Sequence, residues 1–351
     1  MKFFIKQRIS LLLLFIFLVQ TNEPRACTRV VYKGPANTFL TARSMDWNED
    51  TQTDLWIFPR GMERNGETGP NTIKWRSKYG SVIASAYNVA STDGINEKGL
   101  VANLLWLAES EYPKWDPGKP GLTIAAWVQY VLDNFETVDE AVSELSQEKF
   151  IPYTSNVPGQ DRLVTVHLSL SDATGDNAIL EYIDGKLNIH HDRSYQVMTN
   201  SPPFDQQLAL NDYWKNISGV VFLPGTNRAA DRFVRASFYI NAVPQTDDIM
   251  TATASVFSVI RNCSVPYGIS TPNEPNISST RWRTVSDQKN LIYYFESVIS
   301  PNTFWVDLKD VDLSENAPVK KLPLTGGEIY AGNAAAQFIA TPAFAFLGYE
   351  N

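Results

Sequence analysis

Cysteine and histidine are scarce in this chain. There are two cysteines, Cys27 and Cys263, and three histidines, His167, His190 and His191, in 351 residues. Two cysteines cannot build a disulfide framework, although in an oxidising compartment they can form one bridge. With the histidines scattered, neither residue type makes a zinc-ligand pattern. Positive charge is also short. The net charge is −8, which argues against nucleic acid as a partner, since phosphate binding needs a basic face. No Pro/Gly/Ser-rich linker, repeat or long charge run divides the chain, so residues 27–351 are read as one domain. Past the first 19 residues no segment is apolar and long enough to span a bilayer.

The N-terminus carries the one localisation signal. Lys2, Lys6 and Arg8 form a positive region, and Leu11 to Val19 a short apolar one. This is the pattern of a secretory leader, expected to be removed with residues 1–26 and to leave no stable membrane insertion. Ala26 suits the position before a cut. Pro24 stands where a second small residue is expected, so a later trimming step is an alternative route to a chain beginning at Cys27.

Along the rest of the chain the pattern is strands, helices, strands, helices, strands. Residues 27–33 and 38–45 flank Gly34-Pro35-Ala36-Asn37 and read as a hairpin beginning at Cys27. Further strands are expected at 54–58, 80–87 and 99–107. A helical period runs over 121–134, and Thr137 with Glu140 marks the start of a helix at 138–147. Strands follow at 163–170, 177–183, 186–191 and 195–199, with Asp184-Gly185 as a hairpin turn. Helices are expected at 228–242 and 248–261, and strands at 280–285, 291–297 and 303–308. The last 40 residues carry weaker signals and are expected to wrap the outside. Two antiparallel sheets covered by helices satisfy this order.

A lone cysteine is usually a small buried apolar residue. Cys27 is set apart by its place after the processing region and at the head of a hairpin. Cut there, it carries a thiol and a free α-amine, whose ordinary pKa values of about 8.5 and 8 are close enough for direct proton exchange. One residue then supplies nucleophile and base, and no catalytic histidine is needed. Such a site calls for a cation to favour the thiolate, a carboxylate to hold the amine and amide donors for the oxyanion. Arg43 and Asp46 lie on the partner strand within reach, although an exposed Arg/Asp pair explains the same spacing.

The chain resembles the choloylglycine hydrolase family of N-terminal nucleophile hydrolases, which holds the penicillin V acylases and bile salt hydrolases. The likeness covers essentially all of 27–351. It rests on Cys27-Thr28-Arg29, Ala42-Arg43-Ser44-Met45-Asp46-Trp47, Asp93-Gly94-Ile95-Asn96-Glu97-Lys98-Gly99-Leu100, Met198-Thr199-Asn200-Ser201-Pro202, and Leu223-Pro224-Gly225 through Asp231-Arg232-Phe233. The resemblance implies an α+β fold, a four-layer αββα sandwich of two antiparallel sheets, and amidase chemistry without metal or cofactor. It implies Cys27 as nucleophile and base, Arg43 beside the thiolate, Asp46 orienting the amine, Asn200 donating to the oxyanion and Arg232 completing the polar site.

One position departs from the bile salt hydrolase pattern. The family's oxyanion-hole asparagine falls on Trp106, where a backbone N–H is left to take that role. Trp47 and Trp106 are then two large rings beside the site, with core packing as the alternative reading. The pattern is nearest to the Gram-negative branch of penicillin V acylases, which also accepts N-acyl homoserine lactones. It implies a small-molecule amide with an aromatic or fatty acyl group as substrate and the periplasm as location. The loop that builds a homotetramer in other branches is shortened here at 204–225, which leaves that assembly open. The competing expectations are a bile salt hydrolase and an exported binding or lipid-anchored protein that keeps the fold without activity.

Overall fold

A computed structural model describes residues 27–217, 221–270, 272 and 278–349. The leader expected over 1–26 lies outside the described residues.

The first hairpin forms where the β-branched run predicts it. Thr28–Gly34 pairs antiparallel with Thr38–Trp47, in the register Thr28↔Ser44, Arg29↔Arg43 and Val30↔Ala42. The turn closes by a hydrogen bond from Thr38 N–H to Pro35 O at 3.1 Å, with Ala36 and Asn37 at φ of 54° and 57°. Two successive positive φ values give the local twist that suits a tight hairpin. All ten residues of Thr38–Trp47 are buried. A strand covered on both faces is what a sheet between two layers requires.

That strand is central in a seven-stranded sheet. Its spatial order is Val197–Met198, Thr28–Gly34, Thr38–Trp47, Ser279–Asp287, Ile292–Ser297, Thr303–Asp307 and Gly332–Asn333. A nine-stranded sheet faces it, in the order Lys186–His191, Asn177–Ile183, Val166–Ser171, Val101–Trp106, Ala90–Asn96, Ser81–Ala86, Leu55–Phe58, Lys320–Leu322 and Ile339–Ala340. The pairings are antiparallel except Thr303–Asp307 with Gly332–Asn333.

Among the described residues there are five α-helices: α1 Trp127–Asn134, α2 Val138–Leu145, α3 Phe204–Lys215, α4 Ala229–Ala242 and α5 Ile249–Asn262. Helices α4 and α5 pack on the seven-stranded sheet, and α1 and α2 on the nine-stranded one. One apolar core fills the space between the sheets and under α4 and α5, and includes Val30, Leu40, Val82, Phe233 and Val256. A second lies under α1 and α2, with Ile83, Leu168, Trp127 and Val131. This is the α+β, four-layer αββα sandwich expected from the sequence. Among the described residues no helix is long and apolar enough to cross a membrane.

Local signals explain two of the helix starts. Thr137 Oγ1 accepts from Glu140 N–H at 3.2 Å, and the Glu140 carboxylate accepts from Glu136 N–H at 2.9 Å. Asp248 caps α5 by accepting from Thr251 N–H at 3.0 Å.

Several elements differ from expectation. Residues 121–134 are not one helix: Gly121–Thr123 pairs parallel with Ile151–Tyr153, and Ile124–Ala126 makes a tight turn before α1. Thr123 Oγ1 accepting from Ala125 N–H stops the helix from reaching further back. Ala90–Asn96 is a central strand although its Asp, Gly and Asn are poor strand formers. Residues 204–215, read as part of a shortened loop, form α3, whose polar sequence hides its period. The last 40 residues add Lys320–Leu322 and Ile339–Ala340 to the nine-stranded sheet instead of only wrapping it.

Candidate active site

Cys27 heads the first strand and is 3% exposed. Cys27 lines a cavity together with Arg43, Met45, Trp47, Leu104 and Trp106. Its nitrogen faces a different environment and donates to Asn200 Oδ1 at 2.6 Å. The strand end thus sets Cys27 between an apolar cavity and a polar network.

That network joins four of the residues expected from sequence, Cys27, Asp46, Asn200 and Arg232, while Arg43 acts on it by charge alone. Arg232, from α4, donates through Nη1 to Cys27 O at 2.6 Å and Thr28 Oγ1 at 2.5 Å, and through Nη2 to Asn200 Oδ1 at 2.8 Å. Its Nη1 lies 4.0 Å from Asp46 Oδ2, with both side chains fully buried. Asp46 Oδ1 accepts from Thr280 Oγ1 at 2.6 Å, and Oδ2 from Ser44 Oγ at 3.4 Å. Asn200 is oriented from both ends, because its Nδ2 donates to Trp106 O at 2.7 Å. Arg43 donates to Leu104 O at 2.9 Å and lies 4.6 Å over the Trp282 ring, with Nε and Nη1 making no hydrogen bond. Arg43 and Asp46 are 1% and 0% exposed, so the solvent-facing ion pair is excluded.

Burial sets the electrostatics. It pushes the Cys27 thiol up, because a thiolate loses its hydration, while the Arg43 and Arg232 charges pull the other way. It lifts the Asp46 carboxyl to about 6, against the pull of Arg232, Thr280, Ser44 and Arg43. Burial also lowers Arg232, opposed by Asp46 and Cys27. Breaking a buried charge network costs more than losing a surface pair, since the remaining charge stays buried without compensation. Arg232→Gln is therefore expected to destabilise the fold by about 3–5 kcal/mol, read as a lower denaturant midpoint with unchanged slope. An unaltered midpoint would show that the network carries no stability.

Trp47 and Trp106 do not pack into the main cores. They form a small cluster of their own with Val157, their rings 5.5 Å apart and tilted by 56°. Trp47 Nε1 donates to Tyr87 Oη at 3.1 Å. Both rings line the cavity beside Cys27.

Sequence reasoning missed a buried support beneath Asn200. His167 faces Glu181 Oε1 through Nδ1 and Thr199 O through Nε2, both at 2.8 Å. A carbonyl can only accept, so Nε2 carries a proton. Glu181 Oε2 accepts from Phe204 N–H at 3.0 Å. Burial would raise the Glu181 carboxyl, but the hydrogen bonds from His167, His190 and Phe204 outweigh it and hold it at about 2. Gln207 clamps the same turn by donating to the carbonyls of Asn200 and Pro202. Strict alternation around His167 marked it as a strand residue, and nothing nearby in sequence pointed to its partners. Thr280 was missed for the same reason. Cys263 is buried behind the network, its thiol 3.8 Å from Arg232 O and pushed up by burial to about 11.

Known proteins share this chain's sequence and shape. The family description "linear amide C–N hydrolases, choloylglycine hydrolase family" matches residues 27–321. A penicillin V acylase of Pectobacterium atrosepticum is 55% identical over 370 residues, covering 98% of each chain. A bile salt hydrolase/transferase of Clostridium perfringens is 26% identical over 317 residues, covering 83% of this chain and 94% of that one. The solved penicillin V acylase of Agrobacterium tumefaciens superposes with a TM-score of 0.87 at 62% identity, over 92% of this chain and 100% of its own. A mutant conjugated bile acid hydrolase of Clostridium perfringens shares the fold, with a TM-score of 0.71 at 22% identity, over 84% and 96% of the two chains.

Proposed function

The chain belongs to the choloylglycine hydrolase family and is a linear-amide C–N hydrolase of the penicillin V acylase type, and we propose that its nucleophile is Cys27, freed as the N-terminal residue when Met1 to Ala26 are removed. The observation that carries this reading is the double setting of Cys27: the residue lines the apolar cavity, and its nitrogen lies 2.6 Å from Asn200 Oδ1.

In the proposed reaction the α-amine takes the thiol proton, and the thiolate adds to the amide carbonyl. Arg43 favours the thiolate by its charge. Asp46, held by Ser44 and Thr280, orients the amine, and Arg232 holds the Cys27 carbonyl and the Asn200 amide in place. Asn200 Nδ2 and a backbone N–H near Trp106 stabilise the oxyanion. The C–N bond breaks as the α-ammonium gives its proton to the leaving nitrogen. Water then hydrolyses the thioester, releasing the acid and regenerating the thiol.

The cavity supports an apolar acyl group. Met45, Leu104, Ile124, Val157 and Val166 join the two tryptophans along it. Aromatic rings and aliphatic walls gain from covering a phenoxyacetyl ring or a fatty acyl chain. Penicillin V and long-chain N-acyl homoserine lactones are the proposed substrates, with the lactam and lactone rings left closed. The positive and apolar segments at Lys2–Val19 favour export, and likeness to the two Gram-negative acylases favours the periplasm.

The test is amine release by the purified enzyme from penicillin V, a long-chain N-acyl homoserine lactone and taurocholate. The first two are expected to be cleaved with kcat/KM about two orders of magnitude above taurocholate. A preference for taurocholate would make the protein a bile salt hydrolase instead.

A further inference from the structure

One wall of the cavity comes from the last stretch of the described chain. Leu347 lines it, alongside Val89, Ala90, Thr123, Ile124 and Ala125. Two of these neighbours also hold Leu347 in place. Its N–H donates to Val89 O at 2.8 Å, and its carbonyl accepts from Thr123 Oγ1 at 2.5 Å. Residues 341–349 belong to no helix or strand, yet they are anchored on both sides of Leu347. Before it, Phe346 is buried, and Phe344 meets Trp56 and Phe58 edge-on with ring centres 5.0 and 5.6 Å away. After it, Ser155 Oγ donates to Gly348 O at 3.3 Å and Tyr349 N–H to Glu67 O at 2.8 Å. Position 348 calls for a glycine, because a Cβ there would run into the Glu67 carbonyl. Buried rings and bonded backbone groups thus fix a segment that has no ladder of its own.

Cys27 and Leu347 reach the cavity from different layers. Cys27 and Met45 pack with the core between the two sheets. Leu347 packs against the second core, under α1 and α2, with Ile124 and Ala125. Its anchors lie on that side as well. Val89 sits in the turn between Ser81–Ala86 and Ala90–Asn96 of the nine-stranded sheet, and Thr123 stands just before the tight turn that leads into α1. Trp47, Trp106 and Val157 form a third cluster, separate from both cores, on the wall of the same cavity.

We propose that Leu347 is a specificity residue that stops the far end of the acyl group and so limits the acyl length the enzyme takes. This rests on the amidase reading above and gives the tail a part in it. With its carbonyl at Cys27, an acyl chain runs past the tryptophans and gains from each methylene it covers, until it meets Leu347. Further carbons must displace a side chain whose backbone is bonded on both sides, and overfilling a packed wall costs more than it returns.

The experiment uses the amine of penicillin V joined to straight acyl chains of about four to about fourteen carbons, and reads kcat/KM against length. Each buried methylene is worth about fourfold. In Leu347→Ala the optimum is expected to move to chains about two carbons longer, and the ratio of kcat/KM for a chain beyond the original optimum over one short of it to rise roughly tenfold. Leu347→Trp is expected to move the optimum the other way, and Leu347→Met, of similar volume, to leave it in place. Leu347 is only partly buried, so these exchanges are compatible with folding. Intact mass and the melting temperature establish that each variant is processed and folded. A length profile unchanged in both Leu347→Ala and Leu347→Trp, or lowered equally at every length, overturns the role of Leu347 and leaves the amidase reading standing. Failure of the unmodified enzyme to cleave any of the series removes the amidase reading and this inference with it.

Discussion

Replacing Cys27 by serine should lower amine release from penicillin V by about three orders of magnitude or more while the fold persists. A hydroxyl holds its proton far more tightly than a thiol, so an α-amine of ordinary basicity cannot withdraw it. Arg43 and the oxyanion donors remain, but they then serve a nucleophile that is not formed. Stability should hardly change. The thiol is small, and among the described residues its polar contact is a weak donation to Asp46 O at 3.8 Å, whose loss costs little. The variant should be prepared starting at residue 27, so that lost chemistry is not confused with lost processing. Activity of the serine enzyme within tenfold of the cysteine enzyme would rule out thiolate attack.

Retaining any residue ahead of Cys27 should silence the enzyme to a similar degree. A peptide nitrogen at Cys27 has no lone pair to accept a proton, so the thiol loses its base. Burial of that thiol pushes it above its ordinary value, which leaves little thiolate at neutral pH. Alkylation with a small haloacetamide reports this directly. In the longer chain the rate at pH 7 should be low and should climb about tenfold per pH unit, as expected below the pKa of a titrating thiol. In the chain beginning at Cys27 the labelling at pH 7 should be fast. Cys263 stays silent in both, since it is buried and its thiol is pushed up to about 11.

Some of this site was legible because it is local. Cys27, Arg43 and Asp46 share one hairpin, and a β-branched run, a turn and a second run set their register without reference to the rest of the chain. The structure places Arg29 opposite Arg43 and keeps Asp46 just past the end of the first strand's pairing. The other half is long-range. The bond from Cys27 to Asn200 closes 173 residues, and that from Arg232 to Cys27 closes 205. No spacing rule links such positions, so they were reached by resemblance alone. Thr280 and the His167–Glu181 pair had neither help. A threonine in a strand and a histidine in an alternating run look like ordinary sheet residues until the fold chooses their partners. The same limit hid α3, whose buried Phe204, Gln207 and Asn211 show no apolar stripe. It also hid Ala90–Asn96, where Asp93 is acceptable because Asn103, Thr284 and Tyr293 donate to it between the sheets.

The decisive measurement is the intact mass of the enzyme molecules that hydrolyse penicillin V, taken together with their N-terminal residue. A chain beginning at Cys27, with an unmodified amine and thiol at that residue, is the expected result. Full turnover by a chain that still carries residues before Cys27 would contradict the proposed chemistry.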